Sequence, residues 1–243
     1  RGGVTALLDA SEMGLPLYLK ARFAPVSRVL RYSLSKTSAL ALAEKDDGGR
    51  RRPCTPSLQS IDWNGEAGEA VRAADVDVFG ADRGTLLSAW RDTCPDLAVW
   101  KPGVAYSLAH VRRNHVYLGP AGILTTTANT HPDNRLVREF FDAVLSLARF
   151  FLLEQPDVDE GGMDGVVVYV REPLYVDDTA SPKIEEGAVA GAGAEAAPWV
   201  VVREALEVAG FELQETTTRM TRPGIDEPGD ATRCLTVASL DLG

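Results

Sequence analysis

The chain has 243 residues, 45% of them hydrophobic and 25% charged, with a formal net charge of −10. That is the composition of a globular chain, and no apolar run reaches the roughly eighteen residues that a membrane-spanning helix needs. Three cysteines (Cys54, Cys94 and Cys234) without paired spacing argue against a disulfide scaffold and a four-cysteine zinc site, and for a reducing, intracellular compartment. The charge is unevenly placed. Residues 1–60 hold ten basic and five acidic side chains, a net of +5, whereas residues 154–195 hold two basic and eleven acidic, a net of −9. The acidic balance opposes a chain-wide nucleic-acid footprint but leaves the N-terminal part free to face phosphates. The start at Arg1, with no signal-peptide pattern, suggests a processed product or an excised domain.

In chain order, Val4–Asp9 is a short apolar run closed by an acid, the pattern of a buried parallel strand. From Val26 to Glu44, apolar residues at three- and four-residue steps (Val26, Val29, Leu30, Leu34, Ala41) predict an amphipathic helix. Residues 45–60 read as an exposed loop, and Asp75–Asp82 as a second strand in which Val76, Val78 and Gly80 alternate with acids. Thr85–Cys94 is a helix stopped before Pro95. A third strand within Val104–Val111 leads to the loop Asn114–Gly119. The broadest apolar stripe in the chain, Leu136 to Phe151, predicts a helix over 133–153. Gly165–Val170 is β-branched and too short for a helix, so it is a central strand. Residues 173–197 read as loop, with a disordered Ala/Gly tract from Gly187. Trp199–Ala209 is a helix capped by Gly210, and Phe211–Thr218 and Arg233–Leu240 are closing strands. The expectation is one α/β domain over 1–243, Rossmann-like, with a mostly parallel sheet ending in an antiparallel pair. Val4–Asp9, Val76–Asp82, Val104–Val111 and Val166–Val170 would be neighbouring parallel strands.

In such sheets ligands sit beyond the carboxyl ends of the strands, where Asp9, Asp82 and Asn114 fall. A carboxylate there accepts ribose hydroxyls, and an Asn binds a base edge; equally, Asp9 and Asp82 suit helix N-caps. The three histidines (His110, His115, His131) are too scattered for a metal site. Ser33–Lys36 matches Ser-x-x-Lys without its partner motifs, and no phosphate-loop motif occurs. Cys94 reads as a buried thiol. Arg50, Arg51 and Arg52, with Arg28, Arg31 and Lys36 nearby, could touch RNA phosphates, or form a solvated loop with no partner.

Several segments resemble the Rossmann-like rRNA uridine-N(3) methyltransferase family: Val4–Glu12 its second-strand signature, Val78–Asp82 its Val-Asp-Ala segment, and Asn114–Gly119 its Asn-Phe-Pro-His-x-Gly loop. Asn134–Phe141 is similar to its Phe-Phe helix, and Trp199–Phe211 with Arg222-Pro223-Gly224 to its last helix and Pro-Gly turn. The departures are specific: Val116 and Tyr117 replace the family's Pro and His, and only Gly2-Gly3 stand where a glycine-rich cofactor loop would lie. The resemblance implies a transferase that moves methyl from S-adenosylmethionine to a base nitrogen of rRNA. Asp9 and Asp82 would bind the cofactor, Asn114 and Tyr117 would line the catalytic pocket, and the compartment would be nucleolus or cytoplasm. The alternative is a methyltransferase-like scaffold subunit of a ribonucleoprotein or other assembly, without catalysis.

Overall fold

A computed structural model describes residues 7–45, 58–124, 133–156, 162–173, 197–222, 230 and 233–237. The strands are β1 (Leu7–Ala10), β2 (Ala24–Ser35), β3 (Gln59–Ser60), β4 (Val99–Lys101), β5 (Ala105–Arg112), β6 (His115–Ile123), β7 (Gly165–Pro173), β8 (Glu212–Thr221) and β9 (Cys234–Thr236). The helices are α1 (Leu15–Lys20), α2 (Lys36–Lys45), α3 (Glu66–Phe79), α4 (Gly84–Thr93), α5 (Asn134–Glu154) and α6 (Pro198–Val208). The strands form one open sheet in the order β1-β8-β2-β7-β6-β5-β4-β3, with β9 paired to β6. Among the described residues β6–β7 is the one parallel pair, matching His115–Leu118 with Gly165–Val168. The other pairings are antiparallel. The chain is α/β as expected, but the mostly parallel Rossmann-like sheet is corrected: β4, β5 and β6 form an antiparallel meander, β8 inserts antiparallel between β1 and β2, and the crossover through α5 joins the parallel neighbours β6 and β7.

Two predicted elements change type. The segment predicted as a helix over 26–44 is β2 followed by α2. Leu30, Tyr32 and Leu34 point into the main core, while Val29 packs on the opposite face with Val167 and Tyr169. Both faces of this central strand are buried, so its apolar residues lose simple alternation and mimic a three- and four-residue step. Ser35 Oγ accepts the Ser38 N–H at 3.0 Å, and this cap starts α2. The segment Asp75–Asp82 is no strand; it is the last turn of α3 and the link to α4. Ala67, Val71, Ala74, Asp75 and Val78 form the buried stripe, and Val76 is 39% exposed. Gly80 ends the helix at φ 72°, where a side chain would be strained.

The helices lie on both faces. Val137, Phe140, Phe141, Val144 and Ala148 of α5, with Val202, Ala205 and Leu206 of α6, cover Val166, Val168 and Val170 of β7. Asp133 caps α5 by accepting the Arg135 N–H at 2.8 Å. On the opposite face Val71, Leu87 and Trp90 of α3 and α4 pack on Tyr106 and Leu108 of β5. Among the described residues no helix is long and apolar enough to cross a membrane. The Arg50–Arg52 run, His131, Cys54, most of both predicted loops and the Pro223-Gly224 turn lie outside the described residues.

Candidate functional site

The parallel pair β6–β7 stops at Leu118 and Val168. Two residues account for it: Gly119 takes φ 138°, a conformation that side chains resist, and Pro120 has no N–H to donate. Beyond this point β6 and β7 no longer serve each other's main-chain groups. The gap is filled by β9, which matches Ala121 with Thr236 and Gly122 with Cys234, while Val237 donates its N–H to the Tyr169 carbonyl at 2.9 Å. A Cβ at Gly119 would lie 2.5 Å from the Val237 carbonyl oxygen, so glycine is required for this approach.

On the face under α3 and α4, an aromatic row crosses the sheet at the same level. His110 of β5 stacks on Trp90 of α4 (centroids 5.3 Å, 22°) and on Tyr117 of β6 (5.2 Å, 14°), and Tyr117 lies parallel to Tyr169 of β7 (6.3 Å, 7°). His110 is 4% exposed and neither ring nitrogen completes a hydrogen bond. Its pKa is lowered, above all by burial. Tyr117 is half-buried and so the more accessible of the two.

Beside this row is a buried ion pair. Asp75, fully buried, accepts from Arg83 Nε at 2.9 Å and Nη2 at 2.6 Å, and from the Tyr106 hydroxyl at 2.7 Å. The Arg83 guanidinium lies 3.6 Å over the Phe79 ring. Burial, and then the Asp75 charge, pushes the Tyr106 hydroxyl pKa well above its ordinary range. Sequence reading missed this group because Asp75 was assigned to a strand. Its signal was a carboxylate placed on the apolar stripe of a helix. The expected buried thiol is present: Cys94 is 1% exposed and burial pushes its pKa up to about 12.

The residues singled out from sequence fall in three places. Asp9 lies on the edge strand β1, where both oxygens accept from Arg219 at 2.9 Å. Asp82 accepts the Gly84 N–H at 2.9 Å at the start of α4 and lines a recess of about 290 Å³ with Arg83, Thr85 and Leu86. Each of the two carboxylates is taken up by its own local partner, Asp9 by Arg219 of β8 and Asp82 by the first turn of α4. Asn114 occupies the β5–β6 turn, its carbonyl accepting the Asp164 N–H at 2.6 Å, three residues before Tyr117 on the same hairpin. Among the described residues no group of three histidine, cysteine or acidic side chains could hold a metal.

No family model matches the chain, and no curated protein does. Solved structures do. A protein of Pyrococcus horikoshii assigned as an acetyltransferase is similar over 98% of this chain, with a TM-score of 0.55 at 16% identity. A GCN5-related N-acetyltransferase from Sphaerobacter thermophilus is similar over 93%, with a TM-score of 0.51 at 14% identity. The chain spans 60% and 63% of those two proteins. This likeness defines the fold. It overturns the methyltransferase resemblance, and with it S-adenosylmethionine as the cofactor, base methylation of rRNA as the activity and the methyltransferase-like scaffold alternative. Short matches scattered along the chain had carried the resemblance, and two of them fall on elements of different type or pairing: Val78–Asp82 closes a helix, and Asn114–Gly119 belongs to an antiparallel hairpin.

Proposed function

We propose that the chain is an acetyltransferase of the GCN5-related type, taking its acyl group from acetyl-CoA and passing it to an amine. The observation that carries the reading is the parting of the parallel pair β6–β7 at Gly119–Pro120, within a fold similar to that of the two acetyltransferase-type structures. Strand edges that part in this way leave main-chain donors and acceptors without each other as partners, and here β9 meets them. An extended molecule carrying amides can satisfy them, and the arm of coenzyme A carries two. Bound there, acetyl-CoA would supply an activated thioester; the protein's share is orientation and proton movement.

Among the chain's own groups, Tyr117 suits proton donation to a departing thiolate. It sits two residues before the parting and is partly open, and its ring is fixed between His110 and Tyr169. His110, too buried to touch an acceptor, positions Tyr117 through the stack, and Asn114 holds the turn that begins the strand. Acetyl-CoA titrated into the protein by calorimetry should bind in the micromolar range, and thiol release should appear with an amine acceptor. Tyr117→Phe should lower kcat at least tenfold with little change in KM for acetyl-CoA. Absence of binding at millimolar donor would overturn the reading.

A further inference from the structure

We propose that β9 is a displaceable occupant of the slot between β6 and β7, competing in cis with the arm of acetyl-CoA for the same main-chain groups. The inference rests on the acetyltransferase reading and adds a device that the reading does not contain. Ala121 and Gly122 of β6 and Tyr169 of β7 are the groups left over when the parallel pair parts, and β9 or the residue after it meets each of them. The same groups cannot serve an extended ligand while β9 is seated.

The seat is short and its pairing is irregular, although its residues are buried. The strand is three residues long, its register on β6 is broken between Ala121 and Gly122, and it reaches β7 through the isolated bridge at Val237. The Thr236 hydroxyl is buried without a hydrogen-bond partner, although threonine is 1% exposed there. Apolar packing opposes release: Leu235 is fully buried in the main core, and Cys234 and Val237 pack on the other face. The balance is therefore a competition in which ligand affinity is reduced by the cost of unseating β9, not a permanently closed slot.

Two substitutions push the balance in opposite directions. Val237→Pro removes the N–H that Tyr169 accepts and should loosen β9. Thr236→Val replaces the unpartnered hydroxyl by a methyl and should tighten it. Calorimetry with acetyl-CoA on the full chain should give at least tenfold tighter binding for Val237→Pro and severalfold weaker binding for Thr236→Val. Hydrogen exchange of the unsubstituted protein should show the amides of 234–237 losing protection when acetyl-CoA is added, while those of Gly119–Ile123 keep theirs. Equal affinities in all three proteins, with β9 protection unchanged by the donor, would overturn the inference and leave the acetyltransferase reading standing. No binding by any of the three would overturn both. Should Val237→Pro fail to melt cooperatively, Thr236→Val and the exchange measurement decide by themselves.

Discussion

Removing the carboxylate of Asp75 probes the tertiary packing of α3 and α4 on the sheet. In Asp75→Ala, Arg83 loses two charge-assisted hydrogen bonds of 2.9 and 2.6 Å, and the Tyr106 hydroxyl, buried with its whole side chain, loses its acceptor. Breaking a fully buried pair typically costs about 3–5 kcal/mol. The Arg83 side chain retains 18% exposure, so water can take back part of the orphaned charge and the lower end applies, about 3 kcal/mol. Asp75→Asn keeps an acceptor for Tyr106 while removing the charge, and should cost about 1.5–2 kcal/mol. Tyr106→Phe leaves the ion pair intact and should cost about 1 kcal/mol. Urea unfolding read by circular dichroism gives all three values, provided the m-value is unchanged. The two single substitutions at Asp75 and Tyr106 should also be non-additive in the double variant, since they share one bond. A loss below about 1 kcal/mol for Asp75→Ala would refute the claim that this pair holds the helices on the sheet.

His110 titrates below its ordinary 6.5 in the folded protein, so the unfolded chain binds the extra proton first as pH falls. Stability is full above about pH 6.5 and declines below it by up to about 1.4 kcal/mol per pH unit until the folded-state pKa is reached; His110→Phe should flatten this part of the Tm–pH curve. Asp9→Ala breaks the ion pair with Arg219, both side chains under one-fifth exposed, and should lower stability by about 1–2 kcal/mol in denaturant titration. The same substitution should leave acetyl-CoA affinity within twofold of the parent; a tenfold loss would restore Asp9 to a binding site.

The sequence was most legible where one physical signal acted alone. The stripe of α5, the β-branched run of β7 and the extent of α6 with Gly210 at its end were read within a few residues, because each helix buries one face and β7 is apolar from Gly165 to Val170. Reading failed where two signals overlapped. The mixed burial of β2 imitates a helix, and an acid on the buried stripe of α3 imitates an exposed strand position. Strand direction was not legible, since periodicity says which face a residue occupies and nothing about which neighbour it pairs with. That gap let a parallel nucleotide-binding sheet be assumed for an antiparallel one. Of the candidate site, Tyr117 and Asn114 were picked from a loop that is in fact a hairpin. Asp75, Arg83 and Trp90 were missed because only tertiary packing brings them to it.

The place of β2 in the sheet also has a consequence for synthesis. Leu30 pairs with Val170 on one side and Thr216 on the other, so during synthesis this long strand waits for both partners until well over a hundred further residues have followed it. Contacts this distant slow folding, because the loop must close before any pairing rewards it. For that interval residues 24–35 present two unpaired edges with apolar side chains on both faces, the configuration most prone to joining another nascent chain. Yield in the cell should therefore depend on a factor that shields this one stretch during elongation.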